Sequence, residues 1–114
     1  MGEPVRTFAD FWLYYLGEHS KPLTRALHLA GSAAGLACAG AALALRAPWL
    51  VVVGLAAGYA LAWLGHFFVE HNRPATFRHP LWSFLADWKM VACALTGRLD
   101  SEVQRARLAA PPRR

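Results

Sequence analysis

Residues 26–69 have the sequence ALHLAGSAAGLACAGAALALRAPWLVVVGLAAGYALAWLGHFFV, in which Arg46 is the single charged residue. A short connection, Arg46 to Pro48, divides this stretch into two apolar segments, residues 26–45 and 49–69. Each segment has about 20 residues, which is enough for a helix to cross a bilayer core of about 30 Å. Because the connection is so short, the two helices must run antiparallel. The sequence therefore predicts an all-α, membrane-embedded fold built on a two-helix transmembrane hairpin.

The composition of the chain also favours a membrane protein. Hydrophobic residues make up 56% of the 114 residues and charged residues only 17%. A soluble domain of this size buries too small a share of its surface to hide so many apolar side chains. The net charge of +5 favours an anionic partner. Because no nucleic-acid recognition motif accompanies that charge, membrane lipids are the expected partner and nucleic acid is not.

Glycines recur four residues apart in both predicted spans, as Gly31 and Gly35 in the first and as Gly54 and Gly58 in the second. This spacing allows helix backbones to approach closely in lipid. In a hairpin, the two motifs predict that the helices pack through their glycines.

A short amphipathic helix is predicted before the hairpin. Thr7 and Asp10 have the spacing of a capping box, and Gly17 is a typical helix stop. Large apolar residues recur between them at helical spacing: Phe8, Phe11, Trp12, Tyr15 and Leu16. We expect this helix to lie on the membrane with its aromatic face at the headgroup boundary.

A last helix is predicted at about residues 81–96. Because Asp87 and Lys89 lie within it, it is expected to pack against the hairpin or to lie at the membrane interface rather than to cross alone. Residues 1–97 would then form a single helical domain. The arginine-rich residues 98–114 are expected to be a frayed basic tail.

Basic residues are distributed unevenly about the hairpin. Three precede the first span and eight follow the second, whereas the turn contains Arg46 alone. This asymmetry predicts that both termini face the cytoplasm. The alanine- and arginine-rich composition suggests a bacterial inner membrane. No cleavable signal peptide is expected. The protein could also form a homo-oligomer, a question that the sequence leaves open.

Histidines and one acidic residue gather at the predicted cytoplasmic end of the hairpin. His28 lies nineteen residues before Ala47 and His66 nineteen residues after it, so a symmetric hairpin would place them at equal depth. His19 lies just before the first span, and Glu70 follows His66 by one helical turn.

These four side chains are the predicted catalytic and metal-binding residues: His19, His28, His66 and Glu70. Two histidines and a carboxylate with open positions are the donor set of a non-haem Fe(II) centre, which binds a substrate and dioxygen together. Each histidine taken alone is equally well explained as a hydrogen-bonded interfacial residue. As a group they are harder to explain structurally, since ionisable residues in membrane segments are costly and tend to be functional. Neutral imidazoles suit divalent iron or zinc, and Fe2+ is the predicted cofactor.

Two arginines near the same surface, Arg25 and Arg73, are predicted to bind the carboxylate of a substrate whose acyl chain follows the hairpin into the lipid. Interaction with phospholipid headgroups is the alternative for both. The roles of His71 and His79 stay open. Asp87 is expected either to orient a ligand imidazole or to pair with a loop arginine.

Two strings of residues resemble a known family. They are YLGEHSKP at residues 15–22, with His28 downstream, and GHFFVEHNRPA at residues 65–75. They are similar to the small membrane proteins typified by the fungal endoplasmic-reticulum 2-hydroxy fatty acid dioxygenase, over about residues 8–97. The resemblance implies an Fe(II)-dependent enzyme of fatty acid α-oxidation, which uses dioxygen to shorten a 2-hydroxy fatty acid by one carbon. It maps the histidines of the family onto His19, His28 and His66 and its acidic position onto Glu70.

Two other functions stay open from the residues alone. One is a bis-histidine haem protein, with His28 and His66 as axial ligands across the hairpin. The other is a non-enzymatic membrane module whose basic tail binds anionic lipid or a partner protein.

Overall fold

The computed structural model describes residues 5–109, and within this range it contains helices and loops but no strand. The predicted all-α fold is confirmed. The helices are α1 (Phe8–Gly17), α2 (Pro22–Leu45), α3 (Trp49–Leu64) with a π-helical continuation (Gly65–Glu70), a 3-10 turn (Ala75–Phe77), α4 (Pro80–Leu95) and α5 (Leu99–Ala109). They divide into a hairpin unit, residues 21–71, and a second unit that comprises the remaining described residues. The prediction of a single domain over residues 1–97 stays a prediction.

The hairpin unit consists of α2, α3 and the π-helical continuation. Pro22 occupies the first turn of α2, where its missing N–H costs nothing. Arg46 ends the helix in the left-handed conformation, with a φ of 55°, and α3 begins three residues later. The two helical segments, Pro22–Leu45 and Trp49–Glu70, have mean hydropathies of 1.5 and 1.7, and their length and composition suit a membrane crossing.

Helices α2 and α3 contact each other through their glycines. A methyl group added at Gly31 would lie 2.9 Å from the carbonyl oxygen of Gly58, and one added at Gly35 would lie 3.6 Å from that of Gly54. Only a residue without a side chain allows the first of these approaches. The predicted glycine-mediated packing is confirmed.

The register of the hairpin differs from the symmetric one predicted. Along the same line of contact Gly65 lies against Thr24, whose Cγ2 would be 3.1 Å from an added methyl group. In this register His28 faces about Leu61, and His66 lies about five residues, or about 7.5 Å, further from the turn. The prediction of equal depth is therefore wrong, because close glycine contacts rather than the position of the turn determine the pairing.

In the second unit, α1 begins as predicted. The hydroxyl oxygen of Thr7 accepts the backbone N–H of Asp10 at 3.1 Å and so caps the helix. The predicted exposure of its aromatic face to lipid headgroups is wrong, because α4 and α5 pack against α1. Four residues of this face are 1% exposed or less and form the core of the unit: Phe11, Trp12, Tyr15 and Leu16.

Helix α4 packs against α1 and α5 within the second unit, and its predicted packing against the hairpin stays a prediction. It ends at Leu95, and Gly97 follows with a φ of 73°, a left-handed conformation that glycine adopts without strain. Its packed face carries four buried residues: Ser83, Ala86, Met90 and Cys93.

Helix α5 corrects the prediction of a frayed tail. Residues 99–109 are helical, and Val103 and Ala106 are buried. The Trp12 indole N–H donates to a carboxylate oxygen of Glu102 at 2.8 Å. Acidic residues in its first turn and Arg107 in its last suit the helix dipole, a local pattern that the overall arginine content concealed. The remainder of the predicted tail, residues 110–114, lies outside the described residues.

Candidate functional site

His19 lies directly after α1 in the second unit and is almost fully buried. Its Nδ1 is 2.8 Å from the carbonyl oxygen of Tyr15. A carbonyl can only accept, so this nitrogen carries the proton and donates it. The lone pair then resides on Nε2, the arrangement found in histidines that bind a metal through Nε2.

Tyr15 contacts His19 a second time through its ring, since the two ring centroids are 4.3 Å apart. The Tyr15 hydroxyl donates to Oδ1 of Asp87 on α4 at 2.6 Å. Burial, and then the charge and hydrogen bond of Asp87, raise the pKa of Tyr15 well above its usual value, so the phenol stays protonated and remains the donor. The sequence assigned Tyr15 only to an aromatic face, and no local pattern pairs it with Asp87.

His28 and His66 are the two buried histidines of the hairpin unit, on α2 and on the π-helical continuation of α3. The π-helix ends where the N–H of His71 donates to the carbonyl of His66, five residues back. Such single π-turns are rare and are frequent at functional sites. The sequence predicted a regular helix here, because hydrophobic periodicity does not distinguish one wide turn from an α-turn.

Glu70, the predicted acidic ligand, connects the two helices of the hairpin. Its Oε2 accepts the backbone N–H of Lys21 at 2.6 Å, and the ammonium group of Lys21 donates to the carbonyl of Val69 at 3.0 Å. Lys21 is the residue before the first turn of α2, whose N–H groups lack partners within the helix. One carboxylate oxygen of Glu70 therefore holds the start of α2 against the end of α3.

The donor chemistry of these residues suits Fe(II), which binds neutral imidazole and carboxylate. Within residues 5–109, however, no three or more His, Cys, Asp or Glu side chains are arranged to hold a metal ion. His19 belongs to one unit and the other three candidates to the hairpin. The ligand set of His19, His28, His66 and Glu70 stays a prediction.

Of the two predicted substrate-binding arginines, Arg25 is half-buried in the first turns of α2 and Arg73 is exposed in the loop that follows the hairpin. Their role stays a prediction.

The two histidines left open in the sequence have different surroundings. His71 is exposed and adopts a left-handed φ of 61°. His79 precedes α4 without a side-chain capping bond, and its ring stacks on that of Trp82 at 5.6 Å. Neither position resembles that of a buried metal ligand.

The contacts within the hairpin also bear on the haem alternative. From Gly35 to Thr24, α2 lies directly against α3. This packing leaves no room for a porphyrin between the two helices and disfavours axial ligation by His28 and His66 across them.

A family model described as "2-hydroxy-palmitic acid dioxygenase Mpo1-like" matches residues 5–99. The chain belongs to the Mpo1-like family. The resemblance noted in the sequence is thereby confirmed. No curated protein and no solved structure matches this Mpo1-like chain. The matched range includes His19 of the second unit as well as His28 and His66 of the hairpin, so both units carry family residues.

Proposed function

We propose that this Mpo1-like protein is a membrane-bound, Fe(II)-dependent dioxygenase that cleaves 2-hydroxy fatty acids to fatty acids one carbon shorter. The observation that carries the proposal is the family match over residues 5–99. That range contains three buried histidines, in a chain whose hydrophobic composition predicts a membrane protein: His19, His28 and His66.

The three imidazoles, with Glu70, are the groups proposed to hold Fe2+. Bound there, the ion would supply open positions at which a 2-hydroxy carboxylate and dioxygen meet. The protein contributes neutral nitrogen donors, of which His19 already has its Nδ1–H donated to a carbonyl. It also contributes apolar walls that exclude water, since the helices around His28 and His66 are almost uncharged.

The substrate binds by its two chemically distinct ends. The guanidinium groups of Arg25 and Arg73 are proposed to pair with its carboxylate, a geometry that arginine suits well. The acyl chain then lies along the exposed apolar side chains of the hairpin. Substrate would enter from the lipid of a bacterial inner membrane, with both termini on the cytoplasmic side as the distribution of basic residues predicts.

The overall reaction balances without a further reductant. The C1–C2 bond of the 2-hydroxy acid breaks, C1 leaves as carbon dioxide, C2 becomes the new carboxyl carbon, and dioxygen accepts the four electrons released. For 2-hydroxyhexadecanoic acid the products are pentadecanoic acid, carbon dioxide and water.

The test is anaerobic reconstitution of the purified protein with Fe(II), followed by addition of 2-hydroxyhexadecanoic acid and oxygen. We expect the chain-shortened acid from the wild type, and a loss of about 100-fold or more for His66→Ala and His19→Ala, as is common for metal ligands. His71→Asn is the matched control, because it removes an exposed imidazole while tolerating the left-handed conformation. A wild type that neither binds iron nor forms the shorter acid contradicts the proposal. Equal product from all variants favours a non-enzymatic module with contaminating activity.

A further variant in the same experiment, Glu70→Gln, separates metal binding by Glu70 from its contact with Lys21. Glutamine can still accept the N–H of Lys21 through its carbonyl oxygen, so the contact between α2 and α3 persists, but it is a weak ligand for Fe(II). If Glu70 binds the metal, iron content falls in this variant. Full iron content and activity would assign Glu70 to the helix contact alone.

A further inference from the structure

We infer that Asp87 and Tyr15 are positioning residues, which together hold the imidazole of His19 in the orientation that metal binding requires. The inference rests on the proposed function in that His19 is taken as an iron ligand. All three side chains belong to the second unit, on α4, on α1 and directly after α1.

The first step is the contact between Asp87 and Tyr15. Its O–O distance of 2.6 Å is that of a charge-assisted hydrogen bond. The phenol is about 1% exposed, so its hydroxyl depends on a protein partner rather than on bulk water. Asp87 thereby fixes the Tyr15 ring from a neighbouring helix.

The second step is the contact between Tyr15 and His19. The Tyr15 carbonyl accepts from Nδ1 of His19 at 2.8 Å, and the rings are tilted by 32° at a centroid distance of 4.3 Å. The backbone of His19 lies in a turn directly after α1, where its N–H donates to the carbonyl of Leu16 at 3.1 Å. The two contacts with Tyr15 act on the imidazole itself and orient the ring.

The combined effect is a relay from α4 to the imidazole. The bond to Nδ1 selects the tautomer in which Nε2 has a lone pair available to a metal ion. The ring contact sets the direction of that lone pair. Asp87 acts indirectly, because it holds the Tyr15 ring that contacts the imidazole, whereas the bond to Nδ1 comes from the Tyr15 backbone carbonyl. The sequence left two roles open for Asp87, orienting a ligand imidazole or pairing with a loop arginine. Its hydrogen bond to Tyr15 favours an indirect form of the first.

The unit contains a matched control contact. Trp12 on α1 donates to Glu102 on α5 at 2.8 Å, so this bond also ties α1 to a neighbouring helix through an aromatic donor and a carboxylate. The Trp12 ring also stacks on that of Tyr15, at a centroid distance of 5.7 Å, but replacing Glu102 leaves both rings and the Tyr15–Asp87 bond in place. Loss of the bond to Glu102 should therefore destabilise the unit without releasing the imidazole.

The experiment compares the full chain in detergent micelles with four variants: Tyr15→Phe, Asp87→Ala, Asp87→Asn and Glu102→Ala. Two quantities are measured, the Kd for Co2+ as a spectroscopic substitute for Fe(II), and the nuclear Overhauser contacts between the His19 ring and the ring at position 15 in the metal-free protein. The second readout requires no metal and no activity.

We expect Tyr15→Phe and Asp87→Ala to raise the Kd for Co2+ by about 10-fold or more and to weaken the contact between the His19 ring and the ring at position 15. Asp87→Asn should retain much of the Co2+ affinity and of the ring contact, because its amide oxygen still accepts from the Tyr15 hydroxyl. Glu102→Ala should leave both unchanged. Unchanged ring contacts and affinity in the first two variants, or an equal loss in Glu102→Ala, overturns the inference. A wild type that binds no Co2+ overturns the proposed function instead, and the ring contacts still decide whether Asp87 positions the imidazole.

Discussion

At the scale of single residues, Glu102 on α5 accepts hydrogen bonds from two side chains, one of which connects α5 to α1. It accepts from the indole of Trp12 on α1 and from the guanidinium group of Arg105, each at 2.8 Å. The hydrogen bond from Arg105, and then that from Trp12, lower the pKa of Glu102 to about 2, with a smaller contribution from the charge of Lys89. The ionised carboxylate is therefore favoured in the folded protein.

This pKa predicts a loss of stability in acid. Because the folded value lies below the unfolded one of about 4.5, the stabilisation is complete above that pH and is lost as the pH falls from about 4.5 towards 2. The expected effect is small, since the pair with Arg105 is partly exposed. Glu102→Gln keeps an acceptor for Trp12 but does not titrate. As the pH falls over this range, the thermal midpoint of each protein is followed by tryptophan fluorescence. The midpoint of the variant should decrease by about 2 to 4 °C less than that of the wild type. Parallel curves for the two proteins would contradict the assignment.

At the scale of elements, the hairpin depends on contact between two backbones. A Cβ at Gly31 would meet the carbonyl oxygen and Cα of Gly58 at 2.9 and 3.1 Å, and neither of these backbone atoms can rotate away. Gly40 lies on the same helix, but an added Cβ there would meet nothing within 4 Å. The two glycines therefore form a matched pair for one substitution.

Gly31→Ala should destabilise the hairpin by about 1 to 3 kcal/mol, because α2 and α3 must separate to admit the methyl group. Gly40→Ala should be neutral or slightly stabilising. Unfolding of each variant in micelles with increasing SDS measures the difference. Identical midpoints for the two variants would show that the close contact does not contribute to stability.

At the scale of the whole molecule, exposed apolar side chains are concentrated on the hairpin. Several are more than 60% exposed: Leu43, Leu45, Trp49, Val52 and Phe68. Soluble proteins rarely expose so many large apolar side chains on one pair of helices. Lipid is the environment that would cover it.

The protein should accordingly remain with the membrane fraction after extraction with alkaline carbonate. Replacing both Leu36 and Leu55, which are half-exposed near the middle of the two helices, by lysine should release a substantial part of it, since each charge costs about 2.5 to 3.5 kcal/mol at the centre of a span. The Leu108→Lys variant, changed at an exposed position of α5, should remain bound to the membrane. Release of the wild type by carbonate would contradict the membrane assignment.

Local patterns in the sequence were sufficient for much of the fold and part of the candidate site. Uncharged segments of the right length predict α2 and α3, the capping pattern at Thr7 predicts α1, and the glycine spacing predicts which faces of the hairpin meet. The family strings single out His19 and His66, both of which are buried. These features were predictable because helix length, caps and small-residue spacing act over a few neighbouring residues.

Only the tertiary structure decided what covers each apolar face and where each polar group finds its partner. The aromatic face of α1 is covered by α4 and α5 rather than by headgroups, because the hydrophobic effect has no direction and does not distinguish lipid from protein. Tyr15 meets Asp87 across 72 positions of sequence, and the register of the hairpin follows its glycine contacts rather than its turn. Hydrogen bonds and backbone contacts are short-ranged in space but not in sequence, so these pairings emerge only when the chain has folded.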